Sequence, residues 1–162
     1  MKNDVKTIEI IKENVINEVE KEKKNGVENY LFAVQFTNAT VSIVEVNFNE
    51  IIEISKYFTI SGKSVKFKAT KEVKEILKNM PVVTTLKTED IEKLNAEYEK
   101  INRGHAVEML LFNYTVDEVL KSQEKIDGIY NNKKVQVKSS LISFKEGKNN
   151  GTSSAEIVKH IA

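Results

Sequence analysis

The sequence predicts an α+β fold, and three observations carry that reading. Stretches with apolar residues every three or four positions are interspersed with stretches in which they recur every second position. Turn-forming pairs, Ser61-Gly62 and Asn131-Asn132, each sit between two runs of the second kind. Hydrophobic residues make up 40% and charged residues 30% of the 162 positions, which leaves enough apolar surface to close a core.

Each element has its own signal. Asp4 is placed to cap a helix whose apolar stripe is Ile8, Ile11, Val15 and Val19 and which ends near Gly26. Tyr30, Phe32, Val34 and Phe36 alternate with smaller or polar neighbours, as do Val44, Val46 and Phe48, and Asn38-Ala39 joins the two runs as a hairpin. A short helical stretch is expected from Asn49 to Lys56. A second hairpin turns at Ser61-Gly62, with Val65 and Phe67 inward. Thr70 opens a helix that turns Val73, Ile76, Leu77 and Met80 inward, and Pro81, the only proline, follows it. The next helix starts at Thr88, with Glu89 and Asp90 at its positive end and Ile91, Leu94, Tyr98 and Ile101 as its stripe. Gly104 interrupts before the helix GHAVEMLLFNY, which carries Glu108. The stretch from Pro81 to Thr88 is the best candidate boundary. It separates a helix plus antiparallel β region, residues 1–81, from a second region, 82–162.

Composition excludes several function classes. With no cysteine, disulfides, thiolate metal sites and cysteine nucleophiles are ruled out, and a reducing cytoplasm is the expected setting. The start, MKNDVKTIEIIKENV, is too charged for a signal peptide, and no apolar run is long enough to span a membrane. The net charge of +1 gives no global attraction to nucleic acid, so a DNA contact would need a local basic face. Ser64, Lys66 and Lys68 share one strand face near Lys63 and Lys71; a solvated, lysine-protected edge explains them better than a DNA surface does. Neither a Gly-rich phosphate loop nor an HExxH helix nor a nucleophile elbow is present.

The chemistry concentrates in KIDGIYNNKKVQVKSS. With Asn131-Asn132 as a two-residue turn, Tyr130 faces Lys133, Ile129 faces Lys134, Gly128 faces Val135 and Asp127 faces Gln136. Side chains alternate along a strand, so Gln136 and Lys138 share one face and Val135 and Val137 take the core face. An acid, an amide oxygen and an ammonium thus converge, a set that suits a hard cation and a phosphate.

This pattern resembles the PD-(D/E)xK nucleases, the restriction-endonuclease-like family. Asp127 matches the first acid of that motif, Gln136-Val137-Lys138 the E-x-K element, and Glu108 the glutamate of a preceding helix. Glutamine in place of the second acid, and an acid followed by Gly and Ile, are similar to Mrr-type restriction enzymes. The likeness covers the last third of the chain. It implies a restriction-endonuclease-like core over 82–162, a mixed sheet flanked by helices. It also implies Mg²⁺ (or Mn²⁺) bound by Glu108, Asp127, the Gln136 side chain and the Val137 carbonyl, with Lys138 acting on a DNA phosphate. Gln136 gives that site one negative charge fewer than the family pattern. Ser139 to Ala162 leave room for an extension of the motif strand through Leu141-Ile142-Ser143-Phe144. A short helix capped by Ser153 or Ser154, through Ala155, Val158 and Ile161, would follow, with little space for another strand.

Each candidate has a plainer reading. Asp127 could be a turn residue, Gln136 an outward polar residue and Lys138 an edge lysine; jointly the site reading leads. His105 is expected to be a satisfied surface histidine, Lys134 a solvated lysine, and His160 a helix-end cation. Asp117 or Glu118 could stand in for Glu108. Three functions compete: a metal-dependent DNA endonuclease, a catalytically inactive nuclease-like module binding nucleic acid or a protein partner, and an unrelated protein-binding domain. Homodimerisation could complete the sheet.

Overall fold

The computed structural model describes residues 4–68, 70–121, 127–143 and 154–158, with residues 68, 139–143 and 154–156 described by their main chain. Helix α1 (Val5–Lys24) opens on Asp4, whose Oδ1 accepts the Thr7 N–H at 2.7 Å, and ends before Gly26 at φ 94°. Strands β1 (Asn29–Gln35) and β2 (Thr40–Val46) form the expected hairpin, pairing from Tyr30–Val46 to Val34–Ser42. Asn47 then caps α2 (Phe48–Glu53) in a reciprocal box with Glu50, so Phe48 opens a helix where the sequence placed it in a strand. A 3₁₀ turn (Ile54–Tyr57) leads to the hairpin of β3 (Thr59–Ser61) and β4 (Ser64–Lys68), followed by α3 (Lys71–Lys78), capped by Thr70.

The expected boundary at Pro81 to Thr88 is instead strand β5 (Val82–Lys87), paired antiparallel with β2. Its run of Val82, Val83, Thr84 and Thr85 is β-branched, which favours a pleated strand. Next come α4 (Thr88–Glu97), α5 (Arg103–Phe112), α6 (Val116–Lys121), and the hairpin of β6 (Gly128–Tyr130) and β7 (Lys133–Ser143). Helix α4 stops at Glu97, so Ile101 is buried in the connection, and Asn102, not Gly104, sets the start of α5.

The fold is α+β. A five-stranded mixed sheet has the order β5-β2-β1-β7-β6, and its one parallel pairing joins β1 to β7. Strands from both sides of Pro81 therefore share one sheet. The predicted C-terminal helix is instead strand β8 (Ser154–Val158), which pairs with β4 and completes a second sheet, β3-β4-β8. Ile157 and Val158 bury there, beside Val65 and Phe67. His160 and Ile161 lie outside the described residues.

Both faces of the large sheet are covered, and all seven β1 residues are buried. Tyr30, Phe32 and Val34 face α1 and the small sheet, with Ile11, Val15 and Val19. Leu31 and Ala33 face α4 and α5, with Ile91, Ala106, Val107, Val135 and Val137. The parallel register sets Tyr30 beside Gln136 and Phe32 beside Lys138, so both polar residues lie on the α1 face.

Candidate active site

The hairpin that carries the motif folds in the expected register: Tyr130–Lys133, Ile129–Lys134 and Gly128–Val135. Asn131 and Asn132 take φ of 50° and 66°, the positive pair of a type I′ turn. Gly128 has a second reason to be glycine. A Cβ there would stand 2.7 Å from the Phe112 ring, so the last residue of α5 packs directly on the strand. That contact fixes the helix carrying Glu108 against the hairpin.

The strand pairing ends at Gly128, and Asp127 turns toward the main chain of β7. Its N–H donates to the Val135 carbonyl at 3.1 Å, and its Oδ2 accepts the Val137 N–H at 2.7 Å. The Tyr114 hydroxyl donates to the Asp127 carbonyl at 3.0 Å. Asp127 is thus pinned from three sides, with its carboxylate beside Val137 instead of standing opposite Gln136 on a shared face. The N–H and C=O of one strand residue point the same way, so the Val137 carbonyl is directed toward this edge as well.

Glu108 approaches from the α5 side of the sheet. Its carboxyl is pushed up to about 7, first by burial and then by the negative charge of Asp127. Gln136 and Lys138 share a face as expected, but that face is roofed by α1 rather than open. The Gln136 Oε1 is buried without a hydrogen-bond partner. The Lys138 ammonium lies 5.3 Å from the centroid of the Tyr30 ring. The four residues therefore do not converge on one face. Glu108 lies on one side of the sheet, Gln136 and Lys138 on the other, and Asp127 at the strand end within electrostatic reach of both sides.

The sequence reading missed Glu22. It is 6% exposed, and burial raises its carboxyl, opposed most by the charge of Lys138 and reinforced by Glu18 and Asp127. Burial and the charges of Glu22 and Glu18 likewise raise the Tyr30 phenol. A signal was there to read: Glu22 continues the stripe Ile11, Val15 and Val19 at helical spacing, so an acid occupies an apolar row.

Other candidates have structural duties. The His105 Nδ1 accepts the Asn102 N–H at 3.2 Å, in a capping box. Glu118 caps α6 through the Thr115 N–H, and Asp117 is exposed on the same helix. Lys134 is exposed, its main chain bonded to Glu28.

Among the described residues, no three acidic or histidine side chains group closely enough to hold a metal ion by themselves. The donors at the strand end and on its α5 side are nonetheless all oxygens, the carboxylates of Asp127 and Glu108 and the Val137 carbonyl, while the partnerless Gln136 Oε1 lies on the opposite face. That chemistry fits a hard divalent cation, which accepts amide and carbonyl oxygens alongside carboxylates. Comparisons with protein-family models, with curated proteins and with solved structures find no match to this chain. None of the described helices is long and apolar enough to cross a membrane.

Proposed function

We propose that this chain is a metal-dependent endonuclease that hydrolyses DNA phosphodiester bonds at the end of the β6–β7 hairpin. One observation carries the reading. Asp127 is fixed on the Val137 N–H, next to the strand bearing Gln136 and Lys138, and its charge reaches the half-buried Glu108. Asp127 and the Val137 carbonyl at the strand end, with Glu108 from the α5 side, would hold Mg²⁺ or Mn²⁺, while Gln136, on the α1 face, would stand outside that set. Such a cation, when bound, polarises a phosphate and lowers the pKa of a coordinated water.

The chain's own groups supply the rest. Asp127 contributes a carboxylate held rigid by its main-chain bond. Glu108, with its carboxyl near 7, can take up or release a proton at neutral pH. Lys138 offers an ammonium to the charge developing on the phosphate oxygens. The resemblance to PD-(D/E)xK enzymes supports these roles on the matching residues.

A second reading, a catalytically inactive nuclease-like module that binds nucleic acid or a protein partner, is favoured by the α1 roof over Gln136 and Lys138. Incubation with supercoiled plasmid and single-stranded DNA, in Mg²⁺ or Mn²⁺ against EDTA, separates the two. The endonuclease reading expects metal-dependent nicking that Lys138→Ala and Asp127→Ala abolish. Equal cleavage by wild type and both variants refutes it, and binding without cleavage selects the second reading.

A further inference from the structure

On the α5 side of the large sheet, α4 and α6 flank a groove of about 630 Å³. Leu94 and Tyr98 line one wall, four positions apart at the end of α4, and Val116 and Leu120 line the other at the same spacing on α6. Met109 of α5, 8% exposed, lies at the bottom. Side chains four apart on a helix form a ridge, and two ridges side by side leave a furrow that a further helix can fill. Leu120 is 38% exposed, and a methionine beneath it offers a flexible apolar surface that adapts to whatever packs on it.

The rim of this groove is acidic. Glu97, Glu99 and Asp117 are exposed around it, against Lys100. A second hollow of about 400 Å³ shares Tyr98, Lys100 and Val116 with the first and extends it along Glu97 and Glu99. The sign holds for the whole layer: from Thr88 to Lys121 there are eight acids and four bases, in a chain whose net charge is +1. Such a field repels a phosphate backbone and favours a cationic partner. The groove thus combines an apolar bottom with a negative edge, and its complement is apolar along one stripe and basic beside it.

We propose that the groove between α4 and α6 docks an amphipathic helix of a partner protein, with apolar residues three and four positions apart and lysine or arginine flanking them. The apolar stripe of that helix buries against Leu94, Met109, Val116 and Leu120, and its cations meet Glu97, Glu99 and Asp117. The groove adjoins the strand end, since Tyr114 both lines it and donates its hydroxyl to the Asp127 carbonyl. The docking surface does not depend on the endonuclease reading: it needs no cation at the strand end and is tested without metal.

The experiment is a titration of the ¹⁵N-labelled full chain, followed by amide NMR, with two synthetic helical peptides of about five turns. One carries leucine at helical spacing with lysine at the flanking positions; the other keeps the leucines and replaces every lysine by glutamate. The leucine–lysine peptide should bind saturably and shift the amides of Leu94, Tyr98, Val116 and Leu120, and the leucine–glutamate peptide should bind at least about tenfold more weakly. Leu120→Lys, at an exposed position, should weaken the first peptide about tenfold by removing apolar contact and adding a like charge. Glu97→Lys combined with Asp117→Lys, both at exposed positions, should do the same through charge alone. Equal affinity for the two peptides, shifts scattered away from the groove, or no binding up to about 1 mM overturns the proposal. So does either rival occupant: groove amides that shift with protein concentration alone point to a second copy of the chain, and groove amides shifted by single-stranded DNA point to nucleic acid. Peptide docking in a chain that leaves plasmid intact in Mg²⁺ would refute the endonuclease reading and leave this surface standing.

Discussion

Replacing Glu108 by glutamine should flatten part of the pH dependence of stability. The Glu108 carboxyl is pushed up to about 7 from an ordinary 4.5, chiefly by burial and then by Asp127. Between those values the folded protein keeps a proton that the unfolded chain has released. The native state binds more protons there, so stability falls as pH rises through the window from about 4.5 to about 7. Below the window the cost is absent; above it, the cost is complete. At about 1.36 kcal/mol per pKa unit, the full shift corresponds to roughly 3.4 kcal/mol. Glu108 is only half-buried, and solvent screening reduces that to about 1–2 kcal/mol. Urea unfolding of wild type and Glu108→Gln at pH 5 and pH 8 measures it. The stability of wild type relative to the variant should drop by about 1–2 kcal/mol between the two pH values. A pH-independent difference would refute the half-buried, Asp127-coupled Glu108. A cation that binds this carboxylate displaces the proton, so Mg²⁺ at pH 8 should raise wild-type stability more than that of the variant.

The remaining predictions concern the hairpin. Asp127→Asn keeps an oxygen for the Val137 N–H but removes the charge, so the Glu108 titration followed by carbon-detected NMR should move down, only part of the way because burial persists. Gly128→Ala pushes a methyl into the Phe112 ring and should destabilise by about 1–3 kcal/mol in urea, a loss that Phe112→Leu in the same chain should partly restore. Asn132→Gly relieves a left-handed residue in the type I′ turn and should stabilise by a few tenths to about 1 kcal/mol, read as a higher urea midpoint at constant slope.

What the sequence revealed was local. The Asn131-Asn132 turn, the Asp4 cap and the hairpin register depend on neighbours within a few residues, and each is found as expected. Two strands were hidden for different reasons. In Val82–Lys87 the pattern of burial is mixed along an edge strand, so alternation was weak and the proline before it suggested a break. Ala155, Val158 and Ile161 have helical spacing, but pairing with the distant β4 draws Ile157 and Val158 into a strand core. The parallel pairing of β1 with β7 joins segments about a hundred positions apart, and no local pattern encodes it. It is also what brings Tyr30, and above it Glu22, to Gln136 and Lys138. The motif residues were legible from spacing; their division between two faces of the sheet depended on which helix covers which side, a matter of tertiary packing.

The most direct test of the proposed cation centre is paramagnetic broadening of backbone amide signals by substoichiometric Mn²⁺. A centre at the strand end predicts broadening focused on the amides of Asp127, Gly128, Val137 and Glu108, relieved by excess Mg²⁺ and lost in Asp127→Ala. Broadening scattered over surface acids, or undiminished in Asp127→Ala, would contradict a metal site built on this hairpin.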